Sequence, residues 1–202
     1  MASPSPPYSF GLDAEPVNLK QNEGKAFRGD IVRGVGFVLQ AHEAARRLAQ
    51  DLHNADCLFP YLNGDDLNSQ PEQKFSRRVL CFPDWDLERP KEYPDLLRIV
   101  QVRLKPERER LRGPGDQRNR ECGWQFRAYR AGMRRAIAPL RRVLVRSRVS
   151  ELHARVFVPP GWISNDQLIV FAFDDDYHFA LLQSSVHEVG LRKQASSLRT
   201  DV

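Results

Sequence analysis

The chain has 202 residues, 41% of them hydrophobic, enough for one compact core or two small ones that share an interface. Its formal charge of +5 is unevenly held: residues 98–155 carry sixteen arginines and one lysine against five acids, between flanks that are each mildly negative. No apolar run approaches bilayer-spanning length, the start MASPSPPYSFG lacks the charge and hydropathy of a signal peptide, and three cysteines without a CxxC pair argue against a disulfide framework or a zinc site. A cytoplasmic location, buried free thiols and no membrane partner are therefore expected.

Residues 1–16 hold four of the fourteen prolines and are expected to form a disordered leader. From Lys25, the apolar positions Phe27, Ile31, Val32, Val35, Phe37 and Leu39 predict strands, with Gly29, Gly34 and Gly36 at turns or close backbone approaches. A hairpin is the simplest arrangement. Residues 42–53 (HEAARRLAQDLH) predict a short helix with Ala45, Leu48, Ala49 and Leu52 along one face. LFPYLNGDDLNSQP, residues 58–71, mixes large apolar groups with turn formers and reads as an ordered loop pinned by its own side chains. Residues 77–82 (RRVLCF) predict a strand stopped by Pro83, and residues 93–104 a helix with Pro94 in its first turn and an apolar stripe of Leu96, Leu97, Val100 and Leu104.

The next stretch, PERERLRGPGDQRNRECG, is interrupted at Gly113, Pro114 and Gly115 and reads as a basic loop that orders on binding. Residues 124–138 predict a helix, weakened at Gly132 and ended by Pro139, that carries Arg127, Arg130, Arg134 and Arg135 close to one face. Residues 142–149 alternate, Val143, Val145, Ser147 and Val149 against Arg142, Leu144, Arg146 and Arg148, and so predict a half-buried strand with a cationic second face. Residues 154–158 and 168–173 add two strands, the latter apolar enough to be central. Residues 174–189 predict a helix with three acids at its N-terminal end and Phe179, Leu182, Val186 and Val189 at helical spacing.

Gly34 and Gly36 lack the third glycine and the distal acid of a dinucleotide-binding turn. Asp174, Asp175 and Asp176 suit a helix cap better than a cation site, and His178, His187 and Glu188 do not have HExxH spacing. No GxSxG, Walker loop or Cys/His nucleophile pattern is present, so the chain shows no catalytic centre. The arginines are the informative feature. In KPERERLR, residues 105–112, they have glutamate partners and can simply lace a helix surface with ion pairs. Beyond Gly113 they far outnumber the acids, and their repulsion opposes folding unless a polyanion relieves it, which points to nucleic acid. The planar arginine fork can hold phosphate oxygens or pair with guanine in the major groove.

Two stretches carry a family resemblance: LFPYLNGDDLNS (residues 58–69) and FDDDYHFALLQSSVHEVGLRKQASSLRTDV (residues 173–202). Both resemble the target-recognition region of MmeI-like (type IIL) restriction-modification proteins and related adenine-specific DNA methyltransferases. SRRVLCFPDWDLERPKEYPDLLRIVQVRLKPER and VLVRSRVSELHARVFVP are similar to the same region in order and spacing, so the likeness runs from about Val17 onward. The resemblance implies a mixed α/β (α+β) fold: a DNA target-recognition domain over residues 17–172, with a small mixed sheet flanked by helices, and the start of a truncated C-terminal helical segment over residues 173–202.

It also implies a function in bacterial defence, reading a short sequence in double-stranded DNA so that an adenine can be methylated at N6 from S-adenosylmethionine. The family's Asn-Pro-Pro-aromatic motif is absent, only Pro159-Pro160 being present, and so is its endonuclease motif. The chain is thus expected to be a fragment without its own cofactor that works with a methyltransferase domain or subunit in trans. An active adenine-specific methyltransferase subunit and a non-functional gene remnant are the alternatives. We place the base readers at Arg118 and Arg120 and around Arg146, Arg148, Glu151, His153 and Arg155, and the phosphate contacts at Arg127, Arg130, Arg134, Arg135 and Arg142.

Overall fold

The computed structural model describes residues 20–69, 76–114, 116–150 and 152–194; the leader expected over residues 1–16, Glu151 and the end of the C-terminal segment lie outside the described residues. The fold is mixed α/β, but with two small sheets instead of one. The first has the order β1 (Ala26–Arg28), β8 (Leu168–Phe171), β5 (Val143–Ser147), β6 (Val156–Val158), with every neighbouring pair antiparallel. The second has the order β2 (Val38–Gln40), β4 (Arg77–Leu80), β3 (Leu58–Leu62), β7 (Ile163–Ser164), with β7 parallel to β3. The apolar run Leu168–Phe171 is internal to its sheet, as its composition predicts.

β1 and β2 are not a hairpin, because the chain between them crosses from one sheet to the other. Asp30 donates its N–H to the Ser164 carbonyl (2.8 Å), and Ile31 and Ala128 exchange backbone hydrogen bonds. Arg33 and Gly34, both at positive φ (40° and 126°), then turn the chain into a 3-10 helix, Val35–Phe37, ahead of β2. Gly36 lies against Arg103 and Leu104, so it serves close packing and no nucleotide.

Helix α1 (Ala41–Gln50) buries Ala44 and half-buries Leu48, while Ala45 and Ala49 face solvent. The expected face is off by one position because Asp51 ends the helix: its carboxylate accepts from the His53 N–H (2.9 Å) and starts a 3-10 helix, Leu52–Cys57, that leaves Leu52 82% exposed. The segment read as a loop from Leu58 is β3 followed by α2 (Gly64–Ser69). Asn63 and Asp66 form a reciprocal cap, Asp66 N–H to Asn63 Oδ1 at 2.8 Å and Asn63 N–H to Asp66 Oδ2 at 3.1 Å. Helix α3 (Pro94–Arg103) follows its reading, with Leu96, Leu97, Val100 and the succeeding Leu104 all buried.

The stretch expected to be a loop ordered by its partner is instead α4 (Lys105–Glu109) and α5 (Gln117–Glu121), tied down by two buried charges. Arg108, 4% exposed, lies over the Phe37 ring (5.0 Å) and donates to the carbonyls of Arg33 (3.2 Å) and Cys122 (3.4 Å). Asp116 accepts from the Gly113 N–H, the Asn119 amide and Arg33 (3.1–3.3 Å). The helix expected from Trp124 begins only at α6 (Ala131–Ile137). Phe126 is buried edge-on to Phe37 (5.2 Å), Ala128 is bridged to Ile31, and the Arg130 N–H is taken by the Asp30 carboxylate (2.8 Å), so residues 124–130 cannot wind into a helix. Arg127 and Arg130 therefore do not share a helical face with Arg134 and Arg135.

The C-terminal segment is two helices, α7 (Asp176–Gln183) and α8 (Ser185–Gln194). The break is at Ser184, which is extended (ψ 150°) and whose hydroxyl accepts the His187 N–H (3.2 Å). The break splits the expected stripe: Phe179 and Leu182 are half-buried, but Val186 and Val189 are 82% and 68% exposed. Two cores result. One joins α1 and α3 to the second sheet around Phe37, Leu39, Leu80, Phe82 and Leu96; the other joins Met133 and Ile137 of α6 to the first sheet around Val145, Leu168 and Val170. All three cysteines are free thiols, Cys57 and Cys81 buried and Cys122 half-buried.

Candidate nucleic-acid interface

Where the sheets meet, a cleft of about 420 Å³ opens between the Arg33 turn, the start of α2 and the β7–β8 turn. Arginines line its rim and side-chain amides its wall. Arg77 donates both to Asp66 Oδ1 (2.9 Å) and Oδ2 (2.8 Å) and lies over the Tyr61 ring (5.6 Å). Arg33 is held by Asp116. Asp166 gathers two more: its carboxylate accepts from Arg28 (2.6 Å) and its carbonyl from Arg148 (3.0 Å). Gln40, Asn63 and Asn165 supply amide groups; the Gln40 side chain is exposed and makes no hydrogen bond among the described residues. Amides and guanidinium groups are the side chains that match base edges, and carboxylates that hold the arginines in place cut the entropy lost when they bind.

The residues chosen from sequence do not form one patch. Arg118 and Arg120 are exposed on α5; Arg118 donates to Asp84 and Gln125 (3.1 Å each), and Arg120 to the Leu111 carbonyl (3.0 Å). Arg127 and Arg135 are exposed, and their side chains have no hydrogen-bond or ion-pair partner among the described residues. Arg134 turns inward to the Asp30 carboxylate and also donates to the Trp162 carbonyl (2.9 Å), whereas Arg130 bonds Asp30 through its backbone N–H (2.8 Å) and donates its Nε to the Gly29 carbonyl (3.5 Å). Arg142 covers the Phe157 ring (3.7 Å) and donates to Asp176 Oδ1 (2.7 Å) and the Asp174 carbonyl (2.9 Å), so the acidic triplet anchors α7: Asp175 caps it and Asp176 holds Arg142. Arg148 donates to the carbonyl of Asp166, a residue of the cleft, while Arg146, His153 and Arg155 gather beneath α8. Arg28, Arg33 and Arg77 went unselected because they lie in a flank whose net charge is negative; Arg33 beside Gly34 and Arg77 within a predicted strand were the available signals.

Under α8 the electrostatics are unfavourable. Burial pushes the Arg155 guanidinium down to about 10, with Arg146 adding to the effect. His153 and His187 both lie below the ordinary imidazole range, first through burial and then through Arg155; Arg146 acts on both in the same direction, His153 also lowers His187, and Glu188 and the Leu182 carbonyl oppose the shift at His153. Because the unfolded chain takes up these protons first, the histidines' contribution to stability is complete above about pH 6.5 and is lost as pH falls through their depressed folded values. Thermal melts of the wild type should decline between about pH 7 and pH 5, and the double variant His153→Gln/His187→Gln should flatten that decline. An unchanged profile would show that carboxylates elsewhere cause it.

Among the described residues no group of three or more His, Cys, Asp or Glu side chains is placed to hold a metal ion, and no helix is long and apolar enough to cross a membrane. No family model and no curated protein matches the chain. A solved structure, that of the type IIL restriction-modification enzyme MmeI in complex with DNA, superposes with a TM-score of 0.67 at 15% identity over 86% of this chain. The chain spans 22% of that enzyme's length and shares the fold of that part of it.

Proposed function

We propose that this chain is the sequence-reading DNA-binding part of a restriction-modification adenine methyltransferase, and that the methyl transfer belongs to a domain or subunit supplied in trans. One observation carries the reading: an arginine-rimmed, amide-walled cleft, with exposed arginines elsewhere that have no partner among the described residues, in a fold shared with part of a DNA-bound enzyme of that class. Arg127 and Arg135 are the backbone contacts in this reading, since their guanidinium groups have no competing partner among the described residues. Arg118, Arg120, Arg148 and Glu151, with Arg33 and Gln40 of the cleft, are the candidates to face bases.

Binding to duplex DNA, followed by fluorescence anisotropy, should weaken steeply with salt. If about six phosphates are contacted, affinity falls about a thousandfold between 50 and 200 mM. Arg127→Gln and Arg135→Gln should each lower the slope of the log–log plot by about 1 and weaken all sequences alike, whereas Gln40→Ala should reduce discrimination between sequences. A flat salt response rejects the reading. S-adenosylmethionine binding to the chain alone, measured by calorimetry, would instead favour an active methyltransferase subunit.

A further inference from the structure

We infer that Arg146, His153, Arg155 and His187 form a binding site for one phosphate-type oxyanion between the open end of the β5–β6 pair and α8. The site is distinct from the cleft and does not depend on the chain's binding DNA. The ladder pairs Val145 with Val156, so one further step in the same register sets Arg146 across from Arg155, two like charges in facing positions. Arg155 is 4% exposed and its Nε has no hydrogen-bond partner among the described residues. Arg146 is half-buried and its side chain makes no hydrogen bond or ion pair among the described residues. The nearby acid, Glu188, is bonded to Arg192 at 2.8 Å, and its charge opposes but does not outweigh the lowering at Arg155 and His153.

The remaining contacts hold this arrangement without neutralising it. The Arg155 N–H donates to Gln183 Oε1 (3.0 Å), and Gln183 Nε2 donates to the His153 carbonyl (2.5 Å). His153 Nε2 lies 2.7 Å from Arg155 Nη1 and 3.0 Å from the Leu182 carbonyl, and one ring nitrogen can accept from the first or donate to the second but not both. The His187 ring stands 5.7 Å from that of His153. A buried guanidinium facing a second one, with no carboxylate bonded to it among the described residues, is costly unless a counter-charge arrives. The register opposite Arg155, the 2.7 Å approach of His153 to Arg155 and the His187 ring beside that of His153 bring donors from β5, from the chain before β6 and from α8 to the same end of the strand pair; a tetrahedral oxyanion has oxygens for more than one of them, whereas a planar carboxylate matches a single fork. Arg146, His153 and His187 are all half-buried, leaving the rim open to solvent while Arg155 forms the floor. Burial first, and the charges of Arg155 and Arg146 after it, lower the proton affinity of both histidines.

The test follows the His153 and His187 imidazole resonances and the melting temperature of the full chain in phosphate-free buffer at constant ionic strength. One arm adds inorganic phosphate and the other a DNA duplex. Phosphate should move both imidazole pKa values upward and raise the melting temperature by roughly 5 °C at hundredfold excess over its dissociation constant. Movement with phosphate identifies a free-phosphate site, and movement with the duplex alone identifies a backbone phosphodiester as the occupant. No movement in either arm, or an effect of phosphate no larger than that of chloride, overturns the inference. Arg146→Met removes the facing charge, so without phosphate it should be at least as stable as the wild type and should lose the phosphate response. A retained response overturns the site, and Arg155→Lys, which keeps the charge but not the fork, should weaken phosphate binding about tenfold. A chain that answers phosphate but fails to bind DNA rejects the proposed function and leaves this site standing.

Discussion

Replacing Asp30 with alanine should destabilise the protein by about 3–5 kcal/mol, the cost of leaving a buried charge without its partner. Asp30 is fully buried; its carboxylate is gripped by Arg134 and accepts the Arg130 N–H, while its own N–H reaches the Ser164 carbonyl. It ties the crossing between the sheets to the start of α6. Without it, Arg134 keeps the Trp162 carbonyl and the face of the Tyr129 ring (5.9 Å), and its Nε has no hydrogen-bond partner among the described residues. The urea midpoint should fall accordingly. Asp30→Asn should cost less, because an amide oxygen can still accept the Arg130 N–H. The double variant Asp30→Leu/Arg134→Met should recover part of the loss, since an apolar pair carries no desolvation penalty. A loss below about 1 kcal/mol in Asp30→Ala would mean that water, not protein, neutralises the pair.

Gly29→Ala should cost about 3 kcal/mol or more through backbone overlap. A β-carbon there would lie 2.1 Å from the Asn165 carbonyl oxygen and 2.5 Å from that of Ser164, neither of which is a flexible side-chain end. Relief requires parting the Gly29–Asp30 segment from the β7–β8 turn, the contact that sets Asp166, and with it Arg28 and Arg148, at the cleft. DNA binding should weaken along with stability. Gly132→Ala is the natural contrast: the position is helical, with open space around it, so the same methyl group should stabilise by up to about 1 kcal/mol. If both variants melted alike, the close approach at Gly29 would be refuted.

Much of the fold is legible locally. Residues 94–103 declare a helix through Pro94 and the spacing of Leu96, Leu97 and Val100, and residues 168–171 an internal strand through unbroken apolar character. The cap formed by Asn63 and Asp66 was readable too, in the spacing of an Asn and an Asp just before Leu67, although turn formers disguised it. The arginine-rich segment is harder to read because composition counts charges without pairing them. Arg108, Arg134 and Arg142 look like their neighbours in the chain, yet each is absorbed by a carbonyl, a carboxylate or a ring, while Arg127 and Arg135 are left over.

By itself the sequence determined the mixed class, most strand and helix positions and the concentration of positive charge, because these follow from periodicity and composition over a few consecutive residues. Only the tertiary structure decided that β1 and β2 belong to different sheets, that residues 124–130 stay out of a helix and that the β5–β6 register, carried one step past Val145–Val156, sets Arg146 opposite Arg155. Those outcomes depend on partners far along the chain, Asn165 for Gly29, Ala128 for Ile31 and Val156 for Val145. A residue's neighbours in sequence restrict its backbone, but which charge is buried, paired or left exposed is set by contacts that exist only once the sheets have closed.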